Sequence, residues 1–368
     1  SNHQKSNPKS TERRARALPQ AHYHRHYTTA GTPPPFMSLP TKIAKLVQCA
    51  RSFKSELGEA PIFIDHLQSL LWVDVLHAKL YVKDSTDTVT EHNLKEYTEH
   101  ITTVVPVAEP QYKNTLILGT TEGFARYDLS TRIFEPHPSG NIHGVAETEC
   151  QARSNDGKVD PCGRFWLGSL VRNLTTLDVV DKAGALYVLD TWNSTPTRVM
   201  EDITISNGLA WHENTMWYTD SPTAHIDTMV FNETDAIETI CSTRQPRIKV
   251  SNGYPPVPDG CVVDKEGFVW SALFGAGCVR RYDPVSGEAV AEIALPKEAG
   301  MQSTACAWGG EHYEDLYITT AHEFWSEEEC NAFPLAGCLF VCKADEIAEV
   351  CNATGPLGCP SFKFRMGC

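Results

Sequence analysis

The sequence has no run of 18 apolar residues, so nothing in it is long enough to cross a bilayer as a helix. An apolar stretch near the start is also missing, and no secretory signal is visible. Bases are few: 32 Lys and Arg face 46 Asp and Glu, a net charge of −14. That balance argues against a nucleic-acid partner and against a membrane surface. The 13 cysteines lack paired C-x-x-C spacing, including the C-terminal group Cys330, Cys338, Cys342, Cys351, Cys359 and Cys368. An odd number of scattered thiols points to a reduced, cytoplasmic protein, although sequons at Asn173, Asn193, Asn232 and Asn352 weigh weakly for secretion. Helical patterning is scarce as well, with short helices expected only at 41–47 and 344–349.

The charge is unevenly distributed. Residues 1–45 carry eight bases and one acid, Glu12, a net of +7 that leaves the remaining chain at −21. This leader is rich in Ser, Thr, Pro, His and Arg and closes on Pro33-Pro34-Pro35, so it has too little apolar surface to offset the entropy of ordering. A disordered basic leader over 1–45 is expected, followed by one domain over 46–368. Its Arg content and shortage of acids make a mitochondrial transit peptide the alternative address. Met37 offers an alternative start, and the opening Ser1-Asn2 points to processing.

What the body has is a repeat. A short apolar strand recurs six times, at Leu71-Trp72, Leu116-Ile117, Phe165-Trp166, Met216-Trp217, Val269-Trp270 and Leu316-Tyr317. Between the second residues of these pairs the steps are 45, 49, 51, 53 and 47. Each copy follows a shorter strand and a polar turn, and precedes a third strand such as Val279-Arg280-Arg281-Tyr282. Repeats of about 50 residues that hold three or four strands are propeller blades. The spacing predicts an all-β, six-bladed propeller.

Equivalent positions in such a ring fall on one rim. Ahead of the first strands stand Glu59, Asn155, Asn207 and Asp259, the last three in or beside Asn-Gly or Asp-Gly steps. Glycine there permits a left-handed or tight backbone. Each such pair alone reads as a turn dipeptide bonded to its own backbone; four converging positions read as a site. Two carboxylates with amide oxygens suit one hard divalent cation, Ca²⁺, Zn²⁺, Mg²⁺ or Mn²⁺. With positions left open for water and substrate, such an ion serves Lewis-acid chemistry.

From about Leu57 onward the chain resembles the senescence marker protein/gluconolactonase (regucalcin-like) family. The resemblance rests on Arg153-Ser-Asn155-Asp-Gly-Lys-Val-Asp-Pro-Cys-Gly-Arg-Phe-Trp-Leu-Gly168, Gly58-Glu59-Ala60-Pro61, Ser206-Asn207-Gly208-Leu209-Ala210, Pro258-Asp259-Gly260 and Gly275-Ala-Gly277-Cys-Val-Arg280. It implies a six-bladed propeller that hydrolyses small sugar lactones with one divalent cation. It also implies that Glu59, Asn207 and Asp259 hold the metal, that Asp259 is the general base, and that Arg153 and Asn155 contact substrate. A family Glu that binds substrate hydroxyls aligns with Asn173, and the segment around Thr320-Ala-His322-Glu323 diverges. His143, ten residues before Arg153, is a candidate proton shuttle. Two other readings stay open: a non-catalytic calcium- or ligand-binding propeller, and a hydrolase of another ester or phosphorus ester.

Overall fold

The computed structural model describes residues 39–144, 149–251 and 255–367. Six blades, each built on four antiparallel strands, form a ring as the repeat predicts, and the fifth blade carries one further, parallel strand. All six recurrent segments are the second strands of their blades, Ser69–Asp74, Thr115–Thr120, Phe165–Asn173, Thr215–Asp220, Val269–Phe274 and Asp315–Thr320. Blade neighbours cover both of their faces, which explains why they read as unbroken apolar runs rather than as an alternation. Trp72, Trp166 and Trp270 are fully buried there. Fourth strands such as Gln245–Lys249 face water on the outer edge, where charged side chains deter further pairing.

Two hairpins repeat one device. In Asp160-x-x-Gly163-x-x-Trp166, the Asp160 carboxylate accepts from the backbone N–H of Cys162 and Arg164, at 2.9 Å each, and from Trp166 Nε1 at 2.8 Å. Asp264 does the same for Glu266, Phe268 and Trp270 Nε1 at 2.9–3.0 Å. Gly163 and Gly267 have φ of 81° and 84°, the left-handed turn conformation that glycine adopts without penalty.

The leader expected over 1–45 lies outside the described residues as far as residue 38. Its last part belongs to the fold: Thr41–Ile43 pairs in parallel with Ala289–Ala294 of the fifth blade. Lys45–Leu46 pairs with Phe340–Cys342 as the outermost strand of the sixth. The helix expected over 41–47 is therefore two short strands, because open blade edges offer this segment backbone partners that an isolated helical turn lacks. The other expected helix is present as Ala344–Cys351.

The C-terminal segment crosses the end of the ring that carries Asp160 and Asp264. Leu357 accepts from the Lys265 N–H, Phe364 exchanges backbone bonds with Pro106 and Ala108, and Met366 accepts from Trp192. Phe364 is fully buried by this arrangement. The opposite end of the ring stays polar.

Candidate functional site

At that polar end every inner strand breaks register once. The breaks fall at Glu59/Ile62, Ile101/Thr103, Ser154/Gly157, Asn207/Leu209, Pro258/Cys261 and Ser303/Cys306. A bulge re-aims the side chains at its position. Glu59, Asn155, Asn207 and Asp259 all sit at these bulges, so they lie inside strands and not in turns ahead of them. The expected role of the glycines changes accordingly. Gly157, Gly208 and Gly260 do not take left-handed conformations. They are required by close approach: a Cβ on Gly208 would stand 2.5 Å from the Asp259 carbonyl oxygen, and one on Gly260 2.5 Å from Ala305 Cβ.

A chain of hydrogen bonds runs along the rim through three blades. Arg153 Nη1 donates to Ser154 O at 2.9 Å and to Asn155 Oδ1 at 2.8 Å. Asn155 Nδ2 donates to Ser206 O at 2.9 Å and to Asn207 Oδ1 at 2.7 Å. Asn207 Nδ2 donates to Ser221 Oγ at 2.8 Å, and Ser221 Oγ donates to Pro258 O at 2.7 Å, beside Asp259. The guanidinium has only donors, so it fixes the Asn155 amide, which in turn fixes that of Asn207. Asn207 Oδ1 keeps a second lone pair for another ligand.

The carboxylates are not settled in this way. Burial, followed by the charges of Asp259 and Asp156, pushes the Glu59 carboxyl well above its usual range. Burial and then Asp156 do the same to Asp259, and burial raises Asp156. Among the described residues, Asp259 Oδ1 is buried without a hydrogen-bond partner. Carboxylates in this state call for a positive charge. The donor set fits a hard divalent cation: carboxylates of Glu59 and Asp259 with the Asn207 amide oxygen. Among the described residues no cluster of three His, Cys, Asp or Glu side chains is arranged to hold a metal ion, and this set mixes two carboxylates with an amide.

Other expected residues fall elsewhere. Asn173 ends its strand, and its Oδ1 accepts from the N–H groups of Thr175 and Thr176 at 2.9 Å each. The pairing Gln151↔Arg172 and Arg153↔Leu170 puts Arg172, not Asn173, on the face of Arg153. His143 is held by Ser154 Oγ at 3.2 Å and packs edge-on against Tyr187, and burial pushes it down to about 4. It stands beside the third blade, next to the Arg153–Asn155 segment through Ser154.

Several neighbours were not anticipated. Arg172 Nη2 lies 3.5 Å from Glu323 Oε1 and stacks over Phe324, joining the third blade to the sixth. Burial, followed by Arg172, brings Arg153 down to about 10, still a cation at neutral pH. Lys158 Nζ donates to Cys261 O at 2.6 Å, and burial and then Arg153 lower His100 to about 4. Asp156 was hidden within a turn-like Asn-Asp-Gly triplet; Arg172 and Glu323 occupy no position that repeats from blade to blade.

A family model described as "SMP-30/Gluconolactonase/LRE-like region" matches residues 57–322. Regucalcin of Danio rerio is 32% identical over 299 residues, covering 80% of this chain and 92% of that protein. The 6-deoxy-6-sulfogluconolactonase of Pseudomonas putida is 31% identical over 307 residues, 81% of this chain and 95% of that protein. The calcium-binding protein regucalcin from Agrobacterium tumefaciens has the same fold, with a TM-score of 0.71 at 20% identity over 90% of this chain and 100% of that one.

Proposed function

The chain belongs to the SMP-30/gluconolactonase/LRE-like family, and on that footing we propose that it hydrolyses sugar lactones with the help of one divalent cation. The observation that carries this reading is the rim itself. Asp259 is buried and Glu59 half-buried, and burial and neighbouring carboxylates raise the proton affinity of both. Asp259 Oδ1 has no partner among the described residues, and the Asn207 amide is fixed by Asn155. Glu59, Asn207 and Asp259 hold the ion, which is Ca²⁺, Zn²⁺, Mg²⁺ or Mn²⁺. When bound, the cation supplies Lewis-acid stabilisation for negative charge on the lactone carbonyl oxygen.

Asp259 acts as the general base. A water oxygen attacks the carbonyl carbon and loses a proton to Asp259; the carbonyl carbon–ring oxygen bond then breaks and Asp259 returns that proton to the departing ring oxygen, leaving the open hydroxy acid. Arg153 is suited to hold substrate oxygens, because Nη1 is engaged by Ser154 and Asn155 while its fork carries further donors. Asn155 both carries the hydrogen-bond chain and lines the place where the substrate lies. The small-molecule lactone is the partner this rim fits.

A panel of aldonolactones, carboxylic esters and phosphorus esters, run with each of the four cations in turn, tests the proposal. Turnover of aldonolactones with at least one cation is the expected result. Heat of cation binding without hydrolysis of any panel member points to a non-catalytic binding propeller, and turnover confined to phosphorus esters to the other hydrolase.

A further inference from the structure

Blades one and four face each other across the ring and share a feature that the other blades lack. In the first blade Gly58 pairs with Asp74, one step before Glu59. In the fourth, Ser206 pairs with Asp220, one step before Asn207. Both aspartates are buried, at 2% and 4% exposure. Asp74 accepts from the N–H groups of Glu56 at 3.1 Å and Leu57 at 3.3 Å, and His77 Nδ1 lies 2.9 Å from it. Asp220 accepts from Thr204 at 3.2 Å and Ile205 at 2.9 Å. In each case the N–H groups belong to the residues three and two ahead of the rim side chain.

The same register position in blades two, three, five and six holds Thr120, Ser169, Leu273 and Thr320. The three hydroxyls turn the other way: Thr120 donates to Gly123 O, Ser169 to Ala185 O and Thr320 to Cys338 O. In the fifth blade, which carries Asp259, the residues three and two ahead are Pro256, which has no N–H, and Val257, and the facing register position is the apolar Leu273. Among the described residues, an aspartate therefore grips the lead-in segment only in the two blades that present Glu59 and Asn207.

We propose that Asp74 and Asp220 are positioning residues for the cation site: each clamps the backbone that carries one ligand, Glu59 or Asn207, without touching the ion. The proposal rests on the reading that those two residues hold a divalent cation. Rigidly supported ligands lose less entropy on binding, and removing such support typically costs about 10–100-fold in metal affinity.

Calorimetric titration of the full chain with Mn²⁺, paired with thermal unfolding in chelator, tests it. The variants are Asp74→Asn and Asp220→Asn, with Asp74→Thr and Asp220→Thr as backups that carry the residue found in blades two and six. Asp264→Asn is the control, a buried aspartate of the same blade architecture at the far end of the ring. The Asp74 and Asp220 variants are expected to bind Mn²⁺ about 10–100-fold more weakly, while Asp264→Asn loses thermal stability and keeps wild-type affinity. Wild-type affinity in the folded Asp74 and Asp220 variants overturns the proposal, as does equal weakening in Asp264→Asn. A wild-type chain that binds no Mn²⁺, or a Glu59→Gln variant that binds it unchanged, overturns the cation-site reading and this proposal with it.

Discussion

The fifth blade buries an aspartate at each end of its inner strand, and the two ends treat them in opposite ways. At the end crossed by the C-terminal segment, Asp264 accepts from two backbone N–H groups, Trp270 Nε1 and Arg281 Nε. At the other end Asp259 is also buried, yet Oδ1 has no partner among the described residues, and burial and neighbouring carboxylates raise its proton affinity. One end satisfies its charges and holds the fold together. The other leaves charge unbalanced at the positions where a cation and a substrate are expected. Residue type and burial alone do not separate a structural aspartate from a functional one; the count of satisfied oxygens does.

The sharpest way to break this contrast is to remove one aspartate from each end. Asp259→Ala is expected to lower lactone turnover by roughly 10²–10⁴-fold, the range for losing a general base. Its cation-free unfolding temperature should hold or rise, since a mutually repelling buried charge is gone. Asp264→Ala should do the reverse. It removes one of the two carboxylates that pair with the buried Arg281 guanidinium, Glu266 being the other, and leaves the Trp270 Nε1–H unsatisfied; it is expected to cost about 1–3 kcal/mol in denaturant unfolding, with KM unchanged.

A smaller effect separates the ends by pH. Without cation, Glu59 and Asp259 are held above the ordinary carboxylate range, so the folded chain keeps protons that the unfolded chain releases. Stability therefore falls as pH rises through that raised range, and a cation that displaces those protons restores it. The rise in unfolding temperature on adding saturating Mn²⁺ should be greater at about pH 8 than at about pH 5. An increment that is equal at both, or larger at low pH, removes these carboxylates from the cation site.

Smallest of all is Asn173→Ala. Its side chain serves a turn, so the variant should lose about 0.5–1.5 kcal/mol of stability and keep kcat/KM within about twofold. A large rise in KM would instead return Asn173 to the substrate.

Much of this was legible in the sequence, for a physical reason. Blades repeat, so the six apolar second strands could be aligned, and alignment placed Glu59, Asn155, Asn207 and Asp259 on one rim. What escaped depends on contacts between distant parts of the chain. Thr41–Ile43 and Lys45–Leu46 are strands only because the edges of blades five and six receive them. Gly208 and Gly260 are needed because adjacent inner strands nearly touch, a distance that no local pattern reports. Arg172 and Glu323 meet across the ring from positions 151 residues apart.

The most direct test of the central claim is the rate of aldonolactone hydrolysis by one preparation, measured before chelation, after it, and after refilling with each divalent cation. The account predicts that chelation abolishes the rate and that at least one cation restores it. A rate that chelation leaves unchanged would contradict it.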